Sequence, residues 1–151
     1  MRDWINKYLN AEDLEAIKNE IAKVEQTTSG ELRLSLRNKR ILYEKLYKPR
    51  ELALKDFEKL GMANTKQKTG ILIFIIFSER IYDILADEGI HPKIPDSVWL
   101  NFETKLKEKF RSGNYLNGIL HLINGMGEIL KKEFPAEADD VDELPDEVVI
   151  Q

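Results

Sequence analysis

Residues 70–89 read GILIFIIFSERIYDILADEG, from Gly70 to Gly89, and the rest of the chain arranges itself around them. Ile71 to Phe77 is a continuous apolar run of β-branched and aromatic side chains. It is far too short for a membrane span, and its composition predicts a strand buried on both faces. Ser78-Glu79-Arg80 breaks the run, and a second one, Ile81 to Ala86, ends in Asp87-Glu88-Gly89. Two strands this close in sequence predict an antiparallel hairpin.

Working outward toward the N-terminus, the polar loop Ala63 to Thr69 leads into the central strand. Before it, Pro49 suits the first turn of a helix running to about Leu60, with Leu52, Ala53, Phe57 and Leu60 on its buried side and Gly61 as its stop. Asn38 to Lys48 is dense in charge and reads as a connector with some helical content. Glu31 to Arg37 alternates strictly, so Leu32, Leu34 and Leu36 face one way and the polar residues the other, toward a more exposed side. A first helix starts at the N-cap Asn10, repeats Leu14, Ile17, Ile21 and Val24 on one face, and stops at Thr27-Thr28-Ser29-Gly30.

Toward the C-terminus, Pro95 or Asp96 opens a helix with Val98, Trp99, Phe102, Leu106 and Phe110 as its apolar series. A last helix runs from Tyr115 to Phe134 despite Gly118, Gly125 and Gly127, which predicts close packing at those positions to offset about 1 kcal/mol each. Pro135 ends it. The chain divides into a single domain over 1–135 and an acidic, mobile tail over 136–151, in which Leu144 and Val148-Val149-Ile150 are the segments able to dock.

The 151 residues suffice for one domain with a real core, and 33% charged residues provide a well-solvated surface. A net charge of −4 gives no global attraction for nucleic acid or anionic lipid. Without cysteine there is no disulfide, thiolate metal site or thiol nucleophile. The first residues are polar and lack the apolar core of a signal peptide, and no run reaches membrane-spanning length, so the expected compartment is the cytoplasm.

Topology yields the candidate site. A helical crossover from the first strand to the central one makes them parallel and right-handed, while the hairpin partner is antiparallel. Ser29-Gly30-Glu31, the loop Asn64 to Thr69 and Asp87-Glu88-Gly89 then converge at one sheet edge, with the helix starting at Asp96 close by. Glu31, Asp87, Glu88 and Asp96, together with loop carbonyls, are the oxygen donors a hard cation such as calcium, or magnesium, would require. The spacing is not that of an EF-hand. His91 reads as a surface-loop histidine and His121 as a packed helix residue. Two histidines so placed do not form a zinc site. Ser29 and Ser35 have no evident base, and no Gly-x-Ser-x-Gly elbow or P-loop occurs. The basic run Arg37 to Arg40, followed by Tyr43, Lys45, Tyr47 and Lys48, reads as a charged, solvated face.

These residues carry a family resemblance. Thr27-Thr28-Ser29-Gly30-Glu31-Leu32, Leu60-Gly61-Met62 with Asn64-Thr65, and Gly70-Ile71-Leu72-Ile73 resemble the TPM domain. So do Gly89-Ile90, Trp99, Phe110-Arg111-Ser112-Gly113-Asn114-Tyr115 with Gly118, and the closing Phe134-Pro135 with its acidic sequel through Glu147. The resemblance covers nearly the whole chain and is to the short branch without a membrane anchor. It implies a three-layer α/β/α sandwich with a mixed central sheet and helices on both faces, as the reading above also suggests. It further implies calcium binding, acid phosphatase activity as in a chloroplast lumenal member, and roles beside membrane complexes. The family's Gly-Glu pair maps onto Gly30 and Glu31, and its acidic turn onto Asp87 and Glu88.

Three functions follow as expectations. The first is a divalent-cation-binding domain, with calcium as cofactor, acting on an unknown protein partner. The second is a metal-assisted acid phosphatase in which Lys66 or Lys68 counters the charge of the phosphate. The third is a metal-independent interaction domain using the acidic tail or the basic, tyrosine-bearing segment.

Overall fold

The computed structural model describes residues 3–136 and 148–151. At its centre β1 (Glu31–Arg37), β2 (Gly70–Ile76), β3 (Ile81–Ala86) and β4 (Val148–Ile150) form a four-stranded sheet of order β3-β2-β1-β4. β1 and β2 are parallel, in register from Glu31 opposite Gly70 to Arg37 opposite Ile76. β2 and β3 are antiparallel, from Ile71 opposite Ala86 to Ile76 opposite Ile81. Every residue of β2 is buried, as its unbroken apolar run requires.

The helices are α1 (Ala11–Glu25), α2 (Pro49–Lys59), α3 (Asp96–Arg111) and α4 (Tyr115–Glu133). Period-two alternation sorts the core into two layers. Leu32, Leu34, Leu36, Ile71, Ile73 and Ile75 pack with α1, α3 and α4 on one face. Leu72, Phe74, Ile76 and Leu85 pack with Leu52, Ala53 and Phe57 of α2 on the other. The result is a three-layer α/β/α sandwich around a mixed, open sheet.

Local chemistry explains the helix boundaries. Asn10 closes a capping box on α1: its Oδ1 accepts from the Asp13 amide at 2.8 Å, and its own amide donates to Asp13 Oδ2 at 3.0 Å. Pro49 stands in the first turn of α2. The glycines of α4 are contact points: a Cβ on Gly125 would lie 2.2 Å from the Phe102 ring of α3, and one on Gly127 would lie 2.7 Å from Val24 Cγ2 of α1. α4 therefore approaches both neighbours closely only because these side chains are missing.

Three expectations change. The polar side of β1 is not exposed: Arg33 is 2% accessible and paired with Glu25 at the end of α1, and Ser35 is fully buried and bonded to Asp56 of α2 and to Gln151. The domain does not stop at residue 135. Val148–Ile150 joins the sheet as β4, parallel to β1, with Leu34 opposite Val148 and Leu36 opposite Ile150. The acidic stretch 137–147 lies outside the described residues. His121 is exposed, since the apolar stripe Ile119, Leu122, Ile123 and Met126 turns the other side of α4 inward. Among the described residues no helix is long and apolar enough to cross a membrane.

Candidate functional site

The loops that topology predicts to converge do meet. The Glu31 amide donates to Thr69 O at 3.0 Å, the Asp87 amide to Gly70 O at 2.9 Å, and the Gly89 amide to Lys68 O at 2.8 Å. Gly89 is irreplaceable at this junction: a Cβ there would stand 2.2 Å from Gln67 O and 2.4 Å from Lys68 O, both backbone atoms.

The four carboxylates behave differently from one another. Glu31 is buried, and its Oε2 lies 3.3 Å from Arg33 Nη2. Asp87 Oδ1 accepts from the Glu88 amide at 2.8 Å. Asp87 Oδ2 is shielded from solvent and has no hydrogen-bond partner among the described residues. Glu88 and Asp96 are exposed, and Asp96 is the first residue of α3, where the helix dipole favours an acid. Among the described residues no three Asp, Glu or His side chains come close enough together to hold a metal ion. Lys66 is exposed, and Lys68 Nζ donates to Ala63 O at 2.7 Å. His91 is exposed and lies parallel to Trp99, with ring centroids 6.3 Å apart.

The inward polar row of β1 is the densest chemistry in the fold. Arg33 Nη1 lies 2.6 Å from Glu25 Oε2, at the end of α1, and the same oxygen accepts from the Leu32 amide at 3.0 Å. Burial pushes the Glu25 carboxyl above its usual range, and the Arg33 charge offsets this only in part. Ser35 Oγ donates to Asp56 Oδ2 at 2.9 Å, and Arg37 Nη2 donates to Asp56 Oδ1 at 2.8 Å. Burial works against the charge on Arg37, but Asp56 and Glu44 outweigh it and hold its pKa above the ordinary arginine value. Gln151 completes the cluster. Its Nε2 donates to Asp56 Oδ2 at 2.8 Å and to Ser35 Oγ at 3.0 Å, while its Oε1 accepts from Arg37. Alternation in the sequence places Arg33, Ser35 and Arg37 on one side. It carries no sign of partners that lie far along the chain.

Glu44 has a second consequence. It sits in a 3-10 turn, Leu42–Leu46, whose one buried residue is this glutamate. Its Oε2 binds Arg37 Nη1 at 2.7 Å, and its Oε1 accepts from the Ile41 amide at 2.9 Å. With the charged residue held inside, the apolar ones turn outward: Leu42 is 89% and Leu46 87% accessible, and Tyr43 is exposed between them.

Fold and motifs together define an α/β domain of a recognised kind. The family described as the TPM domain matches residues 6–129, and the chain belongs to that family. It is similar to the BA42 protein of the psychrophilic bacterium Bizionia argentinensis, with 31% identity and a TM-score of 0.84 over 95% of this chain and 96% of that one. The N-terminal domain of the cg2496 protein of Corynebacterium glutamicum shares the fold at 10% identity, with a TM-score of 0.62 over 89% of this chain and 81% of that one. No curated protein matches the chain.

Proposed function

We propose that this domain is a protein-interaction module whose contact surface is the turn Leu42–Leu46. The observation that carries the reading is the turn's inverted polarity, with its glutamate buried on Arg37 and its leucines in solvent. Exposed apolar side chains held in a fixed geometry mark a contact surface. Lys39, Lys45 and Lys48 are exposed around them, so the complementary partner is a protein with an apolar groove and an acidic rim.

The test is a photo-crosslinking residue at Tyr43, followed by affinity measurement with the purified partner. The double variant Leu42→Ser, Leu46→Ser should melt like wild type and bind more weakly by about tenfold to a hundredfold per leucine. Absence of an adduct above that formed by a crosslinker at exposed Lys105 would sink the reading. Binding of anionic vesicles that the double variant abolishes would reassign the turn to a membrane surface.

A second reading, a calcium or magnesium site at the loop junction, is favoured by one observation: the shielded Oδ2 of Asp87, unpartnered among the described residues, two residues before Gly89, where the Gln67 and Lys68 carbonyls approach. Asp87 and loop carbonyls would hold the ion, with Glu31 joining only by exchanging Arg33 for it. The phosphatase reading adds to this cation a phosphate countered by Lys66. Thermal unfolding of the chelator-treated protein with calcium titrated in tests both. A rise lost in Asp87→Asn supports the site, and no rise at millimolar metal removes both readings.

A further inference from the structure

At the opposite end of the sheet from the loop junction lies a cavity of about 790 Å³, bounded by the end of β2, the β2–β3 turn, the C-terminus of α3 and the start of α4. That volume falls within the range of small-molecule sites. Its lining combines two chemistries. Four cations line it, Lys7, Arg80, Lys107 and Arg111, and among the described residues no carboxylate does. Among the described residues none of the four forms an ion pair. Glu79, next to Arg80, is engaged elsewhere by Arg40 at 3.0 Å.

The other lining is aromatic. Tyr8 and Phe77 stack with centroids 4.4 Å apart, and Phe77 continues onto Phe110 at 5.8 Å. Tyr115 stands edge-on to Phe77 and Phe110, and Tyr82 edge-on to Phe110. Tyr8, Tyr82 and Tyr115 are half-buried, and among the described residues their hydroxyls have no hydrogen-bond partner.

Arg80 adds a third observation. Its φ is +55°, a left-handed conformation at a hairpin turn where glycine or asparagine would be relaxed. A long, charged side chain kept in a conformation unfavourable to it points to a role in the cavity that Arg80 faces. Phosphate suits the guanidinium forks and ammonium groups, and a flat heterocycle suits the aromatic wall.

We propose that this cavity binds a small anion carrying a planar ring, of the nucleotide class, with phosphate on Arg80 and Arg111 and the base against the tyrosines. The proposal is independent of the Leu42–Leu46 surface and of the cation junction. The test is an amide-resolved NMR titration with AMP, adenosine and inorganic phosphate in parallel, on the wild type and on Arg80→Gly and Arg111→Gln. AMP should shift amides of residues 77–82 and 111–116, with adenosine and phosphate each at least tenfold weaker. Each variant should lose at least tenfold in AMP affinity. Arg80→Gly should also melt no lower than wild type, since glycine relaxes the turn, which separates lost binding from lost folding. No shifts at millimolar AMP, or unchanged affinity in both variants, would overturn the proposal. So would a single-stranded oligonucleotide binding a hundredfold tighter than AMP, which would make the cavity part of a nucleic-acid surface.

Discussion

Asp56→Ala tests whether the polar row of β1 holds the sheet to its covering elements. Asp56 is 2% accessible and accepts hydrogen bonds from Ser35, Arg37 and Gln151 at 2.8 to 2.9 Å. Truncation leaves Ser35 and Gln151 short of an acceptor and deprives half-buried Arg37 of one of its two carboxylates, since only Glu44 remains beside it. Breaking a buried ion pair from one side costs about 3–5 kcal/mol. Glu44 retains part of the compensation for Arg37, which places the expected loss at the lower end, about 3 kcal/mol. For a chain of this length that corresponds to a fall in Tm of roughly 6–12 °C. Urea denaturation followed by circular dichroism measures it, with the m-value checking that the native state stays compact. The double variant Asp56→Ala, Arg37→Met should be less destabilised than the sum of the two single changes, because Asp56 and Arg37 no longer strand each other, while Glu44 loses Arg37 equally in the single Arg37→Met variant. A loss under about 1 kcal/mol for Asp56→Ala, or strict additivity in the double variant, would refute the assignment of this row as a coupled network.

The remaining predictions concern electrostatics, packing and the loop junction. Burial pushes Glu79 upward, but its hydrogen bonds from Arg40 together outweigh this and hold its carboxyl below the usual range. A carboxylate depressed in the folded state stabilises above its unfolded pKa, and that contribution is lost as pH falls through the folded value. Glu79→Gln should therefore be less stable than wild type at pH 7 by about 0.2–1 kcal/mol, the range of an ion pair at the protein surface, and melting curves should show the gap closing in acid. Gly127→Ala gains helix propensity but crowds Val24, for a net loss of about 0–2 kcal/mol, and Val24→Ala in the same chain should recover part of it, as read by urea midpoints. Gly89→Ala should destabilise by about 2 kcal/mol or more, since its Cβ meets backbone oxygens that no rotamer change can move, and hydrogen exchange should rise at Asp87 and Thr69.

The amino-acid sequence by itself determined the elements and most of the topology. The unbroken run Ile71 to Phe77, the alternation at Leu32, Leu34 and Leu36, the Asn10 cap and the apolar series of α3 are local patterns, and backbone geometry turns each into one structure. The crossover through α2 and the short hairpin then fixed strand directions, and with them the meeting of Glu31, Thr69 and Gly89 at one edge. Only the tertiary structure decided what surrounds each polar side chain. That Asp56 and Gln151 enclose Ser35 and Arg37 depends on segments far apart in the chain, and that Glu44 is drawn onto Arg37, turning Leu42 and Leu46 into solvent, depends on how the turn packs against β1. The same holds for the four cations around the aromatic cavity, which come from the chain's start, the hairpin turn and the end of α3. Periodicity tells which side of an element a residue occupies, whereas burial and charge pairing depend on which other element packs there, and no local pattern encodes that.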